Sequence, residues 1–229
     1  MLARMSNEEY RPQPLVFDRL PAEKMLRRGR RFADHLVTRR SVRHFSPDPV
    51  PRELVELAIA AANSAPSGAN RQPWHFAAVS SVAVKTEIRE AAEAEEREFY
   101  EGGRGSEEWL RSLAHLGTGW RKPYLETAPW LVAVFKQIYE VNEDGSKSTN
   151  YYVAESVGIA CGLFIAALHE MGLATLTHTP QPMRFLGRIL ERPPEERPYI
   201  LFPVGYPAPD CEVPMLSKKS AEDVSTWFE

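Results

Sequence analysis

Cysteine is scarce in this chain of 229 residues. Cys161 and Cys211 form no CxxC pair, which removes the common redox and zinc-binding spacings. The six histidines are scattered, with neither an HExxH motif nor a His/Cys grouping, so no metal site is expected. An excess of one charge is lacking too. The 28 basic residues against 31 acidic ones give a net charge of −3, which argues against a nucleic-acid partner. Nowhere do about 18 apolar residues run consecutively, and the opening MLARMSNEEYRPQP contains no apolar signal-peptide core. No membrane span and a cytoplasmic location are therefore expected.

What is present fits a folded protein. Hydrophobic residues make up 43% and charged residues 26%, so the chain can build a core and keep a polar surface. Residues 1–20 are polar and contain prolines, and read as an extended arm. Residues 21–229 read as a single α+β domain with a C-terminal extension. A helix is expected from about 21 to 38, with Met25, Leu26, Phe32, Ala33 and Leu36 as its apolar face. Pro51 suits the first turn of a second helix, whose core face is Leu54, Val55, Ala58, Ile59 and Ala62. Trp74–Val79 reads as a strand, about 84–100 as an Ala/Glu-rich helix ending at Gly102-Gly103, and about 107–116 as another helix. Strands are expected at 131–135, 174–177 and 199–204, with a turn at 142–145. From Tyr151 to Met171 nearly every residue is apolar or small, which predicts a helix buried on almost all sides, either central or at a subunit interface. Cys161 within it reads as a buried thiol. From Gly205 the chain is proline-rich and reads as an arm.

Three segments carry chemistry. In Arg39-Arg40-Ser41-Val42-Arg43, three guanidinium groups and a hydroxyl lie within five residues. Guanidinium forks match phosphate oxygens bidentately, although a solvated basic face has the same composition. In Pro66-Ser67-Gly68-Ala69-Asn70, followed by Gln72, a glycine permits close backbone approach beside side chains that both donate and accept. That mixture suits the edge of a heterocycle; an ordinary turn would look similar. In Thr175-Leu176-Thr177-His178-Thr179, alternation puts the threonines on one face of an extended segment.

These segments, in this order and with the small-residue helix between the second and third, resemble the nitroreductase family. Further matches place the resemblance with the iodotyrosine deiodinase-like subgroup and extend from about residue 20 to the C-terminal region. They are Glu96-x-x-x-Tyr100, Trp120-Arg121-Lys122-x-Tyr124-Leu125-Glu126-Thr127-Ala128-Pro129, Phe135-Lys136-Gln137, Ile159-Ala160-Cys161-Gly162 and Pro203-Val204-Gly205-Tyr206-Pro207. The resemblance implies a central, mostly antiparallel sheet flanked by helices, in an intertwined homodimer with FMN at the subunit interface. Cofactor contacts would come from Arg39, Arg40, Ser41, Val42, Arg43, Pro66, Ser67, Gly68, Asn70, Thr177, His178 and Thr179. Lys218 stands where the family has an arginine at the phosphate. Lysine offers a point charge there rather than a fork. Thr179 would be the catalytic threonine beside flavin N5, where a hydroxyl donor suits stepwise removal of halide.

Glu96 and Tyr100 are four apart and share a helix face. With Lys122 they give a carboxylate, a phenol and an ammonium, complementary to both ends of an α-amino acid. Spacing alone also fits a surface pair and a surface lysine. The resemblance implies that these residues form a lid over a halogenated tyrosine, with the Ala69 N–H holding the phenolate. It also implies NAD(P)H or a reductase partner as electron donor. Two alternatives share the cofactor motifs: a broad NAD(P)H-dependent nitroreductase or flavin reductase, and a non-catalytic flavin- and tyrosine-binding protein.

Overall fold

The computed structural model describes residues 10–229. It divides into one unit ending at Val37 and another from Thr38 to Glu229. Part of the expected arm, residues 1–9, lies outside the described residues; residues 10–20 carry no helix or strand and are largely exposed. The first unit's helix, α1 (Ala22–Val37), is amphipathic as its sequence predicts, yet none of its residues is buried.

The second unit is built on a four-stranded antiparallel sheet. Its strands are β1 (Trp74–Val79), β2 (Trp130–Gln137), β5 (Ala174–Thr175) and β6 (Glu196–Gly205), in the order β1-β2-β6-β5. β1 pairs with β2 from Trp74↔Lys136 to Val79↔Leu131. β2 pairs with β6 from Trp130↔Val204 to Gln137↔Glu196, with a register shift between Val134 and Phe135. Both faces of the central strands are covered, so they read as apolar runs rather than as alternating ones. Leu131, Ala133, Phe135 and Leu201 point into one core layer with Ile88, Leu125 and Leu186. Val132, Val134, Phe202 and Val204 point into the other with Val55, Ala58, Ala62 and Phe164. Each fully buried Leu or Phe contributes roughly 1.5–3 kcal/mol, so the two layers together hold the sheet in place.

Helix α2 (Arg52–Asn63) starts one residue after Pro51, and packs with α6 (Val153–Glu170) on the second layer. The first layer is covered by α3 (Val82–Tyr100), α5 (Tyr124–Thr127) and α7 (Arg184–Ile189). Helix α4 (Glu107–Ala114) is capped by Ser106, whose hydroxyl accepts from the Trp109 N–H at 3.2 Å. The expected turn at 142–145 joins a small hairpin of β3 (Tyr139–Val141) and β4 (Lys147–Thr149). That hairpin, α5 and α7 are too short to stand out in the sequence pattern.

Helix α6 is covered by its own chain on one side only. Its buried residues are Ser156, Val157, Ala160, Cys161, Phe164 and Leu168, while Ile159 and Leu163 are exposed. It is long and apolar enough to cross a membrane by length and composition, although no run of consecutive apolar residues reveals this. Here, however, one side packs in the core. Burial pushes the Cys161 thiol up to about 12, consistent with an inert structural role. Beyond Gly205 the chain has no strand but is not loose. Phe45 bridges Pro207, and the Ser46 N–H donates to the Tyr206 carbonyl at 2.9 Å.

Candidate functional site

The arginine segment lies along the sheet edge. The Val42 N–H donates to the Thr175 carbonyl at 3.3 Å, and Ser41 makes a parallel bridge with Thr175. The first and third sequence clusters, more than a hundred residues apart, are therefore adjacent in space. Val42 is buried, while Arg39, Arg40 and Arg43 are half-buried. Among the described residues no carboxylate pairs with these three guanidinium groups. Arg40 Nη2 donates to the Pro214 carbonyl, tying the C-terminal segment to the cluster. Lys218, four residues further on, is exposed and makes no hydrogen bond or ion pair with the cluster. Several half-buried cations without a counter-charge fit a polyanionic group such as a phosphate.

The second cluster is held against the start of α6. The Gly68 N–H donates to Ser156 Oγ at 3.4 Å, and Ser156 Oγ donates to the Tyr152 carbonyl at 2.6 Å. A Cβ on Gly68 would lie 2.8 Å from the Tyr151 carbonyl oxygen, so the close approach that requires glycine is made by the protein's own backbone. Ser67 Oγ accepts from the Gln72 N–H at 2.9 Å and closes the turn. Ala69, Asn70 and Gln72 have positive φ of 49°, 52° and 47°. A left-handed alanine costs about 1–2 kcal/mol. Such strain persists where the surroundings over-determine it, and it is common at ligand sites. Pro66, Ala69 and Asn70 stay exposed, leaving a surface open to a ligand.

In the third cluster Thr175 is buried and donates to the Pro203 carbonyl at 2.7 Å. Thr177 and Thr179 share its face and are exposed, whereas Leu176 and His178 point the other way and are buried. His178 Nδ1 lies 3.3 Å from the Tyr124 hydroxyl, and its Nε2 has no hydrogen-bond partner among the described residues. Burial, assisted by the charges of Lys122 and Arg43, lowers its pKa to about 3. It is a neutral imidazole at any physiological pH. Burial also pushes the Tyr124 phenol well above its usual range.

Beside these threonines lies a cavity of about 180 Å³ that brings together Arg43, Glu96, Tyr100, Lys122, Thr177 and Thr179. Lys122 Nζ is 3.3 Å from Glu96 Oε2, with side-chain exposures of 4% and 12%. It also donates to Thr118 Oγ1 at 3.2 Å and lies 5.5 Å from the centre of the Tyr100 ring. Burial lowers the Lys122 pKa and raises those of Glu96 and Tyr100; the Glu96–Lys122 attraction opposes the first two shifts without overcoming them. The cavity is smaller than the roughly 300–1,000 Å³ of most ligand pockets, and in this conformation the two charges satisfy each other. One wall is aromatic. Phe99 meets Trp109 of α4 edge-on at 4.9 Å, folding α4 toward the mouth. Thr118, Tyr124, Phe99 and Trp109 were not among the sequence candidates. Of these, Tyr124 alone stands in a matched motif, residues 120–129, where the sequence assigns it no role.

The nitroreductase family model matches residues 36–206. The iodotyrosine deiodinase of Haliscomenobacter hydrossis is 51% identical over 206 residues, covering 90% of this chain and 92% of that protein. The iodotyrosine deiodinase of Nematostella vectensis is 41% identical over 226 residues, covering 96% and 85%. Among solved structures, an oxidized iodotyrosine deiodinase bound to FMN and 3-iodo-L-tyrosine superimposes with a TM-score of 0.72 at 34% identity, covering 86% of this chain and all of that one. The chain belongs to the nitroreductase family and groups within it with the iodotyrosine deiodinases.

Proposed function

We propose that this chain is an FMN-dependent oxidoreductase that removes halogen reductively from halogenated tyrosines. The observation that carries this reading is the buried Glu96–Lys122 pair at 3.3 Å, beside Tyr100 and within one cavity with Thr179. A neutral aromatic substrate has no use for a buried cation and anion, but a zwitterionic amino acid offers a partner to each. Its carboxylate takes Lys122 and its ammonium takes Glu96, so the ligand parts the pair and replaces one desolvated contact with two. Hydrogen bonds to charged groups contribute on the order of 1.5–3 kcal/mol each.

Bound FMN supplies the reducing electrons. Arg39, Arg40, Ser41 and Arg43 would hold its phosphate and ribityl side, with the strained 67–70 turn beside its ring. The exposed Thr179 hydroxyl faces the reacting edge. The Ala69 N–H, presented by a left-handed residue, holds the phenolate oxygen. Phe99 and Trp109 of α4 line the cavity and would shield the reacting ring from water once a ligand is bound. A second copy of the chain completes the site in this reading. The exposed Ile159 and Leu163 of α6 are the surface offered to it.

The test is iodide release from 3-iodotyrosine by the FMN-loaded protein after anaerobic reduction. The wild type releases iodide. Lys122→Ala stays yellow but loses about 10- to 100-fold in kcat/KM, the equivalent of one charged hydrogen bond. Thr179→Ala binds FMN and substrate but releases iodide more slowly. Wild-type iodide release that is undiminished in Lys122→Ala refutes the assignment.

A further inference from the structure

Lys122 sits in a stretch, residues 115–123, that forms neither helix nor strand and contains Gly117 and Gly119. Locally, its carbonyl accepts from the Leu125 N–H at 3.0 Å and its ammonium donates to Thr118 Oγ1 at 3.2 Å. The clasp on its backbone N–H comes from α3. Glu93 Oε1 accepts from the Lys122 backbone N–H at 2.6 Å. Its other oxygen accepts from Arg89 Nη1 at 2.6 Å, and Arg89 Nε donates to Glu126 Oε1 at 2.7 Å. One turn earlier, the buried Lys85 ammonium donates to the carbonyls of Glu126 and Ala128 at 2.9 and 2.7 Å. Lys85, Arg89 and Glu93 are spaced four apart and form one stripe on the helix. The same helix carries Glu96 and Tyr100 just beyond them.

From this arrangement we infer that Glu93 is a positioning residue for substrate binding, backed by Arg89, which holds Lys122 at the distance where it and Glu96 grip the two ends of an amino-acid ligand. One rigid helix supplies both the carboxylate of the pair and the clasp on the backbone that bears its cation. The spacing of the two charges is therefore tied to α3, although Lys122 itself stands in the irregular 115–123 segment. Arg89 orients the Glu93 carboxylate and secures the first residues after Lys122 through Glu126. Glu93 touches neither substrate nor cofactor in this scheme. Its effect passes through the main chain of Lys122, where a misplacement of about 1 Å can cost around 100-fold.

The inference rests on the proposed substrate reading, and its test separates the two. The variants are Glu93→Ala, Glu93→Gln and Arg89→Gln, prepared as FMN-loaded protein. Glu93→Ala raises the KM for 3-iodotyrosine about tenfold with little change in kcat. Glu93→Gln keeps an oxygen for the Lys122 N–H and stays within about threefold of wild type, with Arg89→Gln between them. For 2-iodophenol, which lacks the amino-acid end, the rise in KM is much smaller than for 3-iodotyrosine. Amide hydrogen exchange across 118–126, measured without substrate, speeds up in Glu93→Ala and not in Glu93→Gln. Equal KM rises for both substrates, or unchanged exchange in Glu93→Ala, overturns the inference. If the wild type neither binds nor deiodinates 3-iodotyrosine, the substrate reading fails, and the exchange rates still decide whether Glu93 holds this segment.

Discussion

Removing one charge of the Glu96–Lys122 pair should destabilise the unliganded protein, whereas removing both should not. At 3.3 Å and an effective dielectric constant of about 20, the attraction amounts to about 5 kcal/mol. Dehydrating each ion costs several kcal/mol. The direction of the two pKa shifts shows which effect wins. Glu96 is raised from 4.5 and Lys122 is lowered from 10.5, so burial outweighs attraction at both ends. A raised carboxyl pKa contributes stability below pH 4.5 that is lost as pH rises through the folded value. A lowered lysine pKa contributes stability above pH 10.5 that is lost as pH falls through the folded value. Between those values both groups are charged, and the empty site carries both dehydration costs. Lys122→Met strands a buried carboxylate and should lose about 2–3 kcal/mol near pH 7, or roughly 5–10 °C in Tm for a chain of this size. The loss should shrink as pH falls and Glu96 takes up a proton. The double variant Lys122→Met/Glu96→Leu should melt at or above the wild-type temperature. Thermal melts of the FMN-loaded protein without substrate, from pH 5 to 9, check this. A single variant as stable as wild type at every pH, or a double variant less stable than either single, would refute the electrostatic account.

Gly68→Ala places a methyl 2.8 Å from the Tyr151 carbonyl oxygen, against backbone that cannot swing away. It should cost about 1–3 kcal/mol and lower the flavin-to-protein absorbance ratio; full flavin occupancy with unchanged stability would contradict the packing described. His178, with its pKa near 3, binds no proton in the fold where the unfolded chain does. Between pH 6.5 and about 3 it should lower stability by up to about 1.4 kcal/mol per pH unit. Its ring carbon resonances should show no titration between pH 5 and 8, and a midpoint near 6.5 would refute its burial.

Much of the candidate site is legible in the sequence. The arginine cluster, the 66–70 turn and the threonine strand stood out because several functional groups fall within five residues of one another. Glu96 and Tyr100 were linked by helical spacing. Glu93 and Arg89 were not found, since on an Ala/Glu-rich helix a glutamate that clasps a distant amide looks like any solvated one. Thr118 and Tyr124 were missed because their roles depend on contacts that no local pattern encodes. The setting of helix α6 is only partly legible for a related reason. Composition reports that a surface is apolar, not whether the same chain covers it, and Ile159 and Leu163 are left uncovered here. The central strands were recognised but clipped at their ends, where Trp130, Lys136 and Arg197 interrupt the apolar run while the hydrogen-bonded ladder continues.

The bridge between Ser41 and Thr175 also bears on how the protein assembles. The two residues meet only once α6 and the sheet between them in sequence are in place, and β2 must find β6 across the intervening hairpin, α6, β5 and α7. Contacts of such high sequence separation form slowly and late. A cofactor that needs the 39–43, 66–70 and 177–179 segments together has nothing to grip on a partly folded chain. Flavin capture, followed by the change in its fluorescence, should therefore coincide with the final folding step and not precede it.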